Sequence, residues 1–268
     1  MIDPQIAKFY ANTAEEDRLT QGSAVLEEAR TRELIQRHAP AAPAVVLDVG
    51  GGAGAYAFWL AQLGYQVHLV DAAPRLIDEA RRRGAGKQAL ASYRVGDARA
   101  LDFPDRAADV VLMLGPLYHL TGAADRARAL AEAHRVLKPG GWLFGAAISR
   151  WASVLDGLAR NLFDDSRFAA IVERDLVDGQ HRNATERLDY FTTAYFHKPD
   201  EAVAEVRAAG FATPRIYGIE GPGWLFPDVA ERMADPGRRA DLLEVARAFE
   251  SEPAVVGISA HLLVVAQL

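Results

Sequence analysis

A run of glycines and three aspartates, each at the end of a predicted strand, are the residues of this chain best placed to do chemistry. Residues 45–56 read Val-Val-Leu-Asp-Val-Gly-Gly-Gly-Ala-Gly-Ala-Tyr. Apolar β-branched residues build a strand, and Asp48 sits near its end. The glycines turn the backbone sharply and carry no side chains that would hold a ligand away. A helix is predicted over about 53–63, with its unpaired N–H groups and positive dipole end aimed at whatever rests on the loop. A nucleotide-like small molecule is therefore expected there. Asp71 and Asp97 close the next two predicted strands, and residues at strand C-termini line one crevice in an open α/β sheet.

The loop alone does not choose the nucleotide. Gly50, Gly52 and Ala55 also meet the relaxed GxGxxG/A spacing of dinucleotide-binding folds, so a dinucleotide and another adenosyl ligand both fit. The flanking residues separate them. Asp48 is an odd neighbour for a pyrophosphate but can help position a cationic ligand. Asp97 can accept a hydrogen bond from an adenine amine, and the Ala98 N–H can donate to a ring nitrogen. The run Arg-Val-Leu-Lys-Pro-Gly-Gly-Trp over 135–142 is a distinctive approach to a fifth strand.

Strands are predicted at 44–49, 66–70, 91–95, 108–114 and 142–148. Helices between them are predicted at 74–84 and 124–137, and a turn at 138–141. A serine-capped helix is expected over 23–37, ahead of an Ala-Pro breaker. Strands that are almost continuously apolar and alternate with helices indicate a parallel sheet covered on both faces. The second half adds a helix at 200–209, a strand at 213–218, a helix at 237–250 and a last strand at 261–266. Segments 149–199 and 221–253 read as helical cap insertions of a single domain spanning 1–268, closing over the crevice to form a pocket.

Composition narrows the classes. The chain has 268 residues, no cysteine and a formal net charge of −6. Thiolate metal sites, disulfides and cysteine nucleophiles are excluded, and nucleic acid is not expected as a partner. No apolar run of membrane-spanning length or secretory leader is read, so a cytoplasmic protein is expected. Neither metal-spaced ligands nor an oligomeric state are legible.

Together these motifs, over about 44–148, resemble the class I S-adenosylmethionine-dependent methyltransferases. The resemblance implies a Rossmann-like, seven-stranded, mostly parallel sheet in order 3-2-1-4-5-7-6 with the last strand antiparallel. It implies S-adenosylmethionine as cofactor and S-adenosylhomocysteine as product. Gly50 and Gly52 would approach the methionine part, Asp71 with Ala72 the ribose, and Asp97 with Ala98 the adenine. The Leu114 carbonyl would face the methionine amine. Tyr10 or Arg18, in a segment expected to fold over the cofactor, would touch the methionine carboxylate.

The methyl acceptor is less legible. After strand 4 the chain reads Leu-Gly-Pro-Leu-Tyr-His-Leu over 114–120. This departs from the Asn/Asp-Pro-Pro-Tyr motif of methyltransferases that act on amines in bases and glutamine. His119 is the leading candidate for a general base or acceptor-orienting group, because imidazole titrates near neutral pH. His181 and Tyr195 are secondary candidates from the first insertion. The aromatic residues of that insertion point to a small aromatic or apolar acceptor, methylated at O, N or C by in-line displacement. The alternatives are an NAD-dependent oxidoreductase and a non-catalytic cofactor-binding protein on the same scaffold.

Overall fold

The computed structural model describes residues 3–12, 19–85, 89–185 and 187–268. The parallel core comprises β1 (Val45–Val49), β2 (Gln66–Asp71), β3 (Ser92–Val95), β4 (Ala108–Met113) and β5 (Leu137–Ser149). They lie in the order β3-β2-β1-β4-β5. A short hairpin of β6 (Gln180–His181) and β7 (Ala194–His197) hangs on the end of β5, where β7 pairs with Ile148 and Ser149. Along the rest of β5 runs β9 (His261–Gln267), antiparallel to it, with β8 (Arg215–Gly218) antiparallel to β9. With β8 and β9 as the sixth and seventh strands, the seven-stranded order is the 3-2-1-4-5-7-6 expected from sequence. The β6–β7 hairpin was not foreseen.

Alternation along the strands assigns the two faces. Val46, Val110 and Leu112 pack with α2 (Ala24–His38), α3 (Ala55–Gln62) and α4 (Pro74–Gly84). Leu47, Val49, Val111 and Met113 pack on the other face, against α6 (Ala123–Val136) and α9 (Pro199–Ala208). A three-layer αβα sandwich results. The remaining helices are α1 (Pro4–Ala11), α5 (Pro116–His119), α7 (Ala152–Ala159), α8 (Ser166–Asp178), α10 (Val229–Ala234) and α11 (Pro236–Phe249).

Some boundaries differ from the sequence reading for physical reasons. Ser23 precedes α2 in a helical conformation and makes no side-chain cap bond, so the expected serine cap is absent. β5 begins at Leu137 rather than 142, because Gly140 at φ +79° lets the Lys-Pro-Gly-Gly stretch continue the strand through an irregularity opposite Ala108–Val110. Of the second insertion, α10 and α11 pack through Val229, Met233 and Leu242 on Leu26 of α2. No helix among the described residues is long and apolar enough to cross a membrane.

Candidate active site

The glycine loop is held in a shape that side chains would spoil. Gly50, Gly52 and Gly54 have φ of +73°, +57° and +85°, the left-handed region that favours glycine. A Cβ on Gly50 would lie 2.7 Å from the Pro116 ring, and one on Gly51 would lie 2.4 Å from Asp48 Oδ2. The loop therefore lies directly on the start of α5 on one side and on the Asp48 carboxyl on the other. Above it is a cavity of about 180 Å³. Tyr10, Asp48, Gly50, Gly52, Asp71, Ala72, Asp97, Ala98 and Leu114 all line this space, as does His119.

The three aspartates have different environments. Asp71 Oδ2 accepts from the Gly52 N–H at 2.9 Å and Oδ1 from the Ala73 N–H at 2.8 Å. These bonds fix the carboxylate at the cavity wall and leave each oxygen a second lone pair. Burial raises its pKa, and the two backbone donors oppose the rise. Asp97 is gripped by Arg99, with Nε to Oδ1 at 2.9 Å and Nη2 to Oδ2 at 2.6 Å, which holds it well below the usual carboxylate range. Asp48 lies on the α3 side of β1, under Gly51, and is 1% exposed. Burial first, and then the neighbouring charge of Asp71, push it up to about 7. It is a weaker attractor for a cation than the sequence suggested, because at neutral pH much of it is protonated.

This donor set suits an adenosyl sulfonium better than a dinucleotide. Carboxylates accept from hydroxyls, amines and ammonium groups, whereas a pyrophosphate set among them would be repelled. The Leu114 carbonyl faces the cavity but already accepts from the Tyr118 hydroxyl at 2.9 Å. Its second lone pair remains for an ammonium group.

Helix α1 lies across this cavity. Asp3, Ile6 and Tyr10 contribute to its wall. Arg75 Nη2 donates to the Tyr10 carbonyl at 2.5 Å, and Thr193 bonds Gln5, so α1 is tied to both α4 and the hairpin. The Tyr10 hydroxyl meets His119 Nε2 at 2.6 Å, while Nδ1 faces the Thr193 carbonyl at 3.4 Å. A carbonyl only accepts, so Nδ1 carries the hydrogen and Nε2 accepts from Tyr10. Burial pushes the imidazole down to about 4. Tyr10 thus meets a histidine rather than standing clear for a carboxylate. Arg18 lies outside the described residues.

Tyr10 and Tyr118 are shared with a second cavity of about 530 Å³. Its walls include Phe9, Phe168, Tyr190, Phe191, Phe196 and Trp224. Most come from the first insertion and from the N-terminal segment; Trp224 is the contribution of the second insertion. His181 lines it too, but its Nδ1 faces Asp175 Oδ2 at 2.8 Å and its Nε2 the Tyr190 carbonyl at 2.8 Å. Both nitrogens are already engaged, and this histidine ties the hairpin to α8.

Tyr195 is outside both cavities. On β7 its neighbours Ala194 and Phe196 pack against Ile148 and Ala152, so strand alternation sends Tyr195 the other way. There the Arg126 guanidinium lies 3.9 Å over its ring, and its hydroxyl is 3.3 Å from Glu201 Oε2. Tyr195 therefore stands apart from the groups expected to act with it.

Sequence reasoning missed a buried polar group at the other end of the aromatic cavity. His261, first residue of β9, lines it, and its Nδ1 is 2.5 Å from Glu220 Oε1. Glu27 Oε2 lies 3.8 Å from the same nitrogen. Potential ligand atoms of Glu27, Glu220 and His261 all fall within 4.8 Å of one another. The 2.5 Å separation of His261 and Glu220 is that of a hydrogen bond, shorter than two ligands of one ion allow.

The comparisons agree with this geometry. The methyltransferase domain family matches residues 47–145, from β1 into β5. A demethylmenaquinone methyltransferase of Deinococcus radiodurans is 34% identical over 186 residues, covering 67% of this chain and 73% of the relative. A ubiquinone biosynthesis O-methyltransferase of Paramagnetospirillum magneticum is 34% identical over 200 residues, covering 75% and 68%. The crystal structure of an S-adenosylmethionine-dependent methyltransferase from Mesorhizobium loti aligns with TM-score 0.59 at 18% identity, over 91% of this chain and all of that one. The chain belongs to the class I S-adenosylmethionine-dependent methyltransferases, and S-adenosylmethionine is its cofactor.

Proposed function

We propose that this enzyme methylates a small aromatic metabolite held beneath the cap, by in-line displacement at the sulfonium methyl. The observation that carries the proposal is the aromatic cavity of about 530 Å³ that opens beside the cofactor cavity at Tyr10 and Tyr118. Two relatives named for quinone chemistry support an aromatic acceptor.

Gly50 and Gly52 let the backbone approach the methionine part, Asp71 with Ala72 holds the ribose, and Asp97 with Ala98 holds the adenine. The Leu114 carbonyl takes the ammonium. When bound, the cofactor supplies a methyl group already activated by the positive sulfur, so the protein has mainly to align the acceptor. Tyr10 and His119 stand where the two cavities meet. Their role in this reading is to orient the acceptor: His119 is neutral at physiological pH, and its Nε2 holds the Tyr10 hydroxyl. The first insertion, with Phe9, Tyr10 and Trp224, forms the acceptor pocket.

The test is incubation with S-adenosylmethionine and a panel of hydroxylated benzenes, naphthalenes and their quinols, read by mass spectrometry. A product heavier by one methylene unit is expected. Methylation confined to aliphatic or macromolecular acceptors would overturn the reading.

A further inference from the structure

We infer that the groove beside α9 is an interface at which two copies of this chain pair about a two-fold axis, with their α9 helices antiparallel. The pairing goes beyond methyl transfer and does not depend on which acceptor is used.

The groove has a volume of about 770 Å³ and shares no lining residue with the cofactor cavity or the aromatic cavity. Its walls are mainly apolar, from Trp151 and Leu155 at α7, Val203 of α9, Ile216 of β8 and the turn at 253–258. Trp151 is 37% exposed there. The charged groups lining it are Asp200 and Arg207, both from α9 and both exposed. Neither is hydrogen-bonded or ion-paired to another described residue.

The order of these residues along α9 makes its outer face complementary to itself. Asp200 and Arg207 are seven residues apart, which is two turns and about 10 Å along the helix. Val203 and Ala204 stand midway between them. The four residues occupy an arc of about 100°, opposite the buried Ala202 and Val206. A face that is negative at one end, apolar in the middle and positive at the other matches its own copy turned end for end. About an axis between Val203 and Ala204, Asp200 of each copy meets Arg207 of the partner subunit, so that two ion pairs form. In the parallel arrangement like charges meet instead, which disfavours it.

The division of labour follows from the chemistry. Val203 and Ala204 are short enough for the two helices to come close, and the apolar groove residues supply the area that holds the copies together. The ion pairs at the rim fix register and orientation more than affinity. A small ligand would have to carry charges of both signs two helical turns apart to satisfy the same groups, whereas a second copy carries both at the required spacing. Helix α7 links this surface to catalysis. Trp151 and Leu155 line the groove, while Ala152, Ser153 and Asp156 line the aromatic cavity. Pairing at the groove therefore braces a helix that walls that cavity.

Sedimentation velocity of the full chain at micromolar concentration should give twice the mass of one chain. Asp200→Arg and Arg207→Asp, which each set like charges together at both ends of the contact, should each raise the dimer dissociation constant more than about tenfold. The double variant Asp200→Arg, Arg207→Asp reverses both signs and should recover the dimer. Melting temperature and S-adenosylhomocysteine affinity show that each variant is folded. A wild-type monomer would overturn the inference. So would a dimer that either single reversal leaves intact, or a folded double variant that stays monomeric. The chain has no cysteine, so a single introduced thiol reports the neighbour it meets. On oxidation Ala204→Cys, beside the axis, should give a disulfide-linked dimer much faster than Val177→Cys, a position 78% exposed on α8. Equal rates would count against the interface.

Discussion

The two cavities that meet at Tyr10 and Tyr118 are built from different materials. The first cavity rests on a backbone feature, a glycine loop pressed against Pro116 and Asp48, with strand-end carboxylates pinned by neighbouring N–H groups or by Arg99. The aromatic cavity is lined by residues of α1, α5, α7, α8, the hairpin, Trp224 and the start of β9. Backbone walls tolerate few residue types, and their shape is set by the parallel sheet. Side-chain walls can be exchanged one residue at a time. One scaffold can therefore keep its methyl donor while its acceptor changes.

Asp71→Ala should have the largest effect. It removes two sites that accept hydrogen bonds to a charged group, each worth roughly 1.5–3 kcal/mol. S-adenosylhomocysteine affinity by calorimetry should fall about 100-fold or more, at that energy per bond. Wild-type affinity would break the contrast at its rigid half. Phe191→Ala, in the other half, should raise the KM of the acceptor about tenfold by loss of apolar contact while cofactor affinity stays within about threefold. Equal losses in both would mean that the two cavities are not separable.

Tyr10→Phe probes the junction. Loss of its hydrogen bond to His119 should lower kcat about three- to tenfold, in line with the net worth of one hydrogen bond. Cofactor affinity should hardly move; a selective loss of cofactor affinity would return Tyr10 to the methionine carboxylate.

Asp48→Asn tests the buried acid by its pH dependence. Its pKa in the fold is about 7 against the ordinary 3.8 of an aspartate, so the folded state favours the protonated form. Asp48 therefore weakens the fold increasingly as pH rises from about 4 to 7. The variant should melt together with wild type near pH 4 and on the order of 10 °C above it at pH 8. A gap that does not widen with pH would remove the assignment. Tyr195→Phe should have the smallest effect, with turnover within about twofold of wild type, because its hydroxyl bonds lie outside both cavities.

What could be read from sequence follows the same division. Gly50, Gly52, Asp71 and Asp97 were legible because each sits a fixed few residues from the strand that places it. The sheet order came with the family resemblance that these motifs carry. His119 was legible as the histidine after β4, but its bond to Tyr10 joins residues 109 positions apart and leaves no local trace. His181 and Tyr195 looked alike in an aromatic-rich insertion. Which of them turned inward depended on the β6–β7 hairpin, whose β6 is only two residues long. His261 and Glu220 went unnoticed because attention to parallel strands falls on their ends, and β9 meets the site at its beginning.

Helix α1 has a consequence for the timing of turnover. It walls both cavities and is fastened to α4 through Arg75 and to the hairpin through Thr193. Because α1 walls both cavities, its release would open both at once, as an event separate from the chemistry. Hydrogen exchange over residues 3–12 should slow when S-adenosylhomocysteine is bound, and Arg75→Ala should restore rapid exchange.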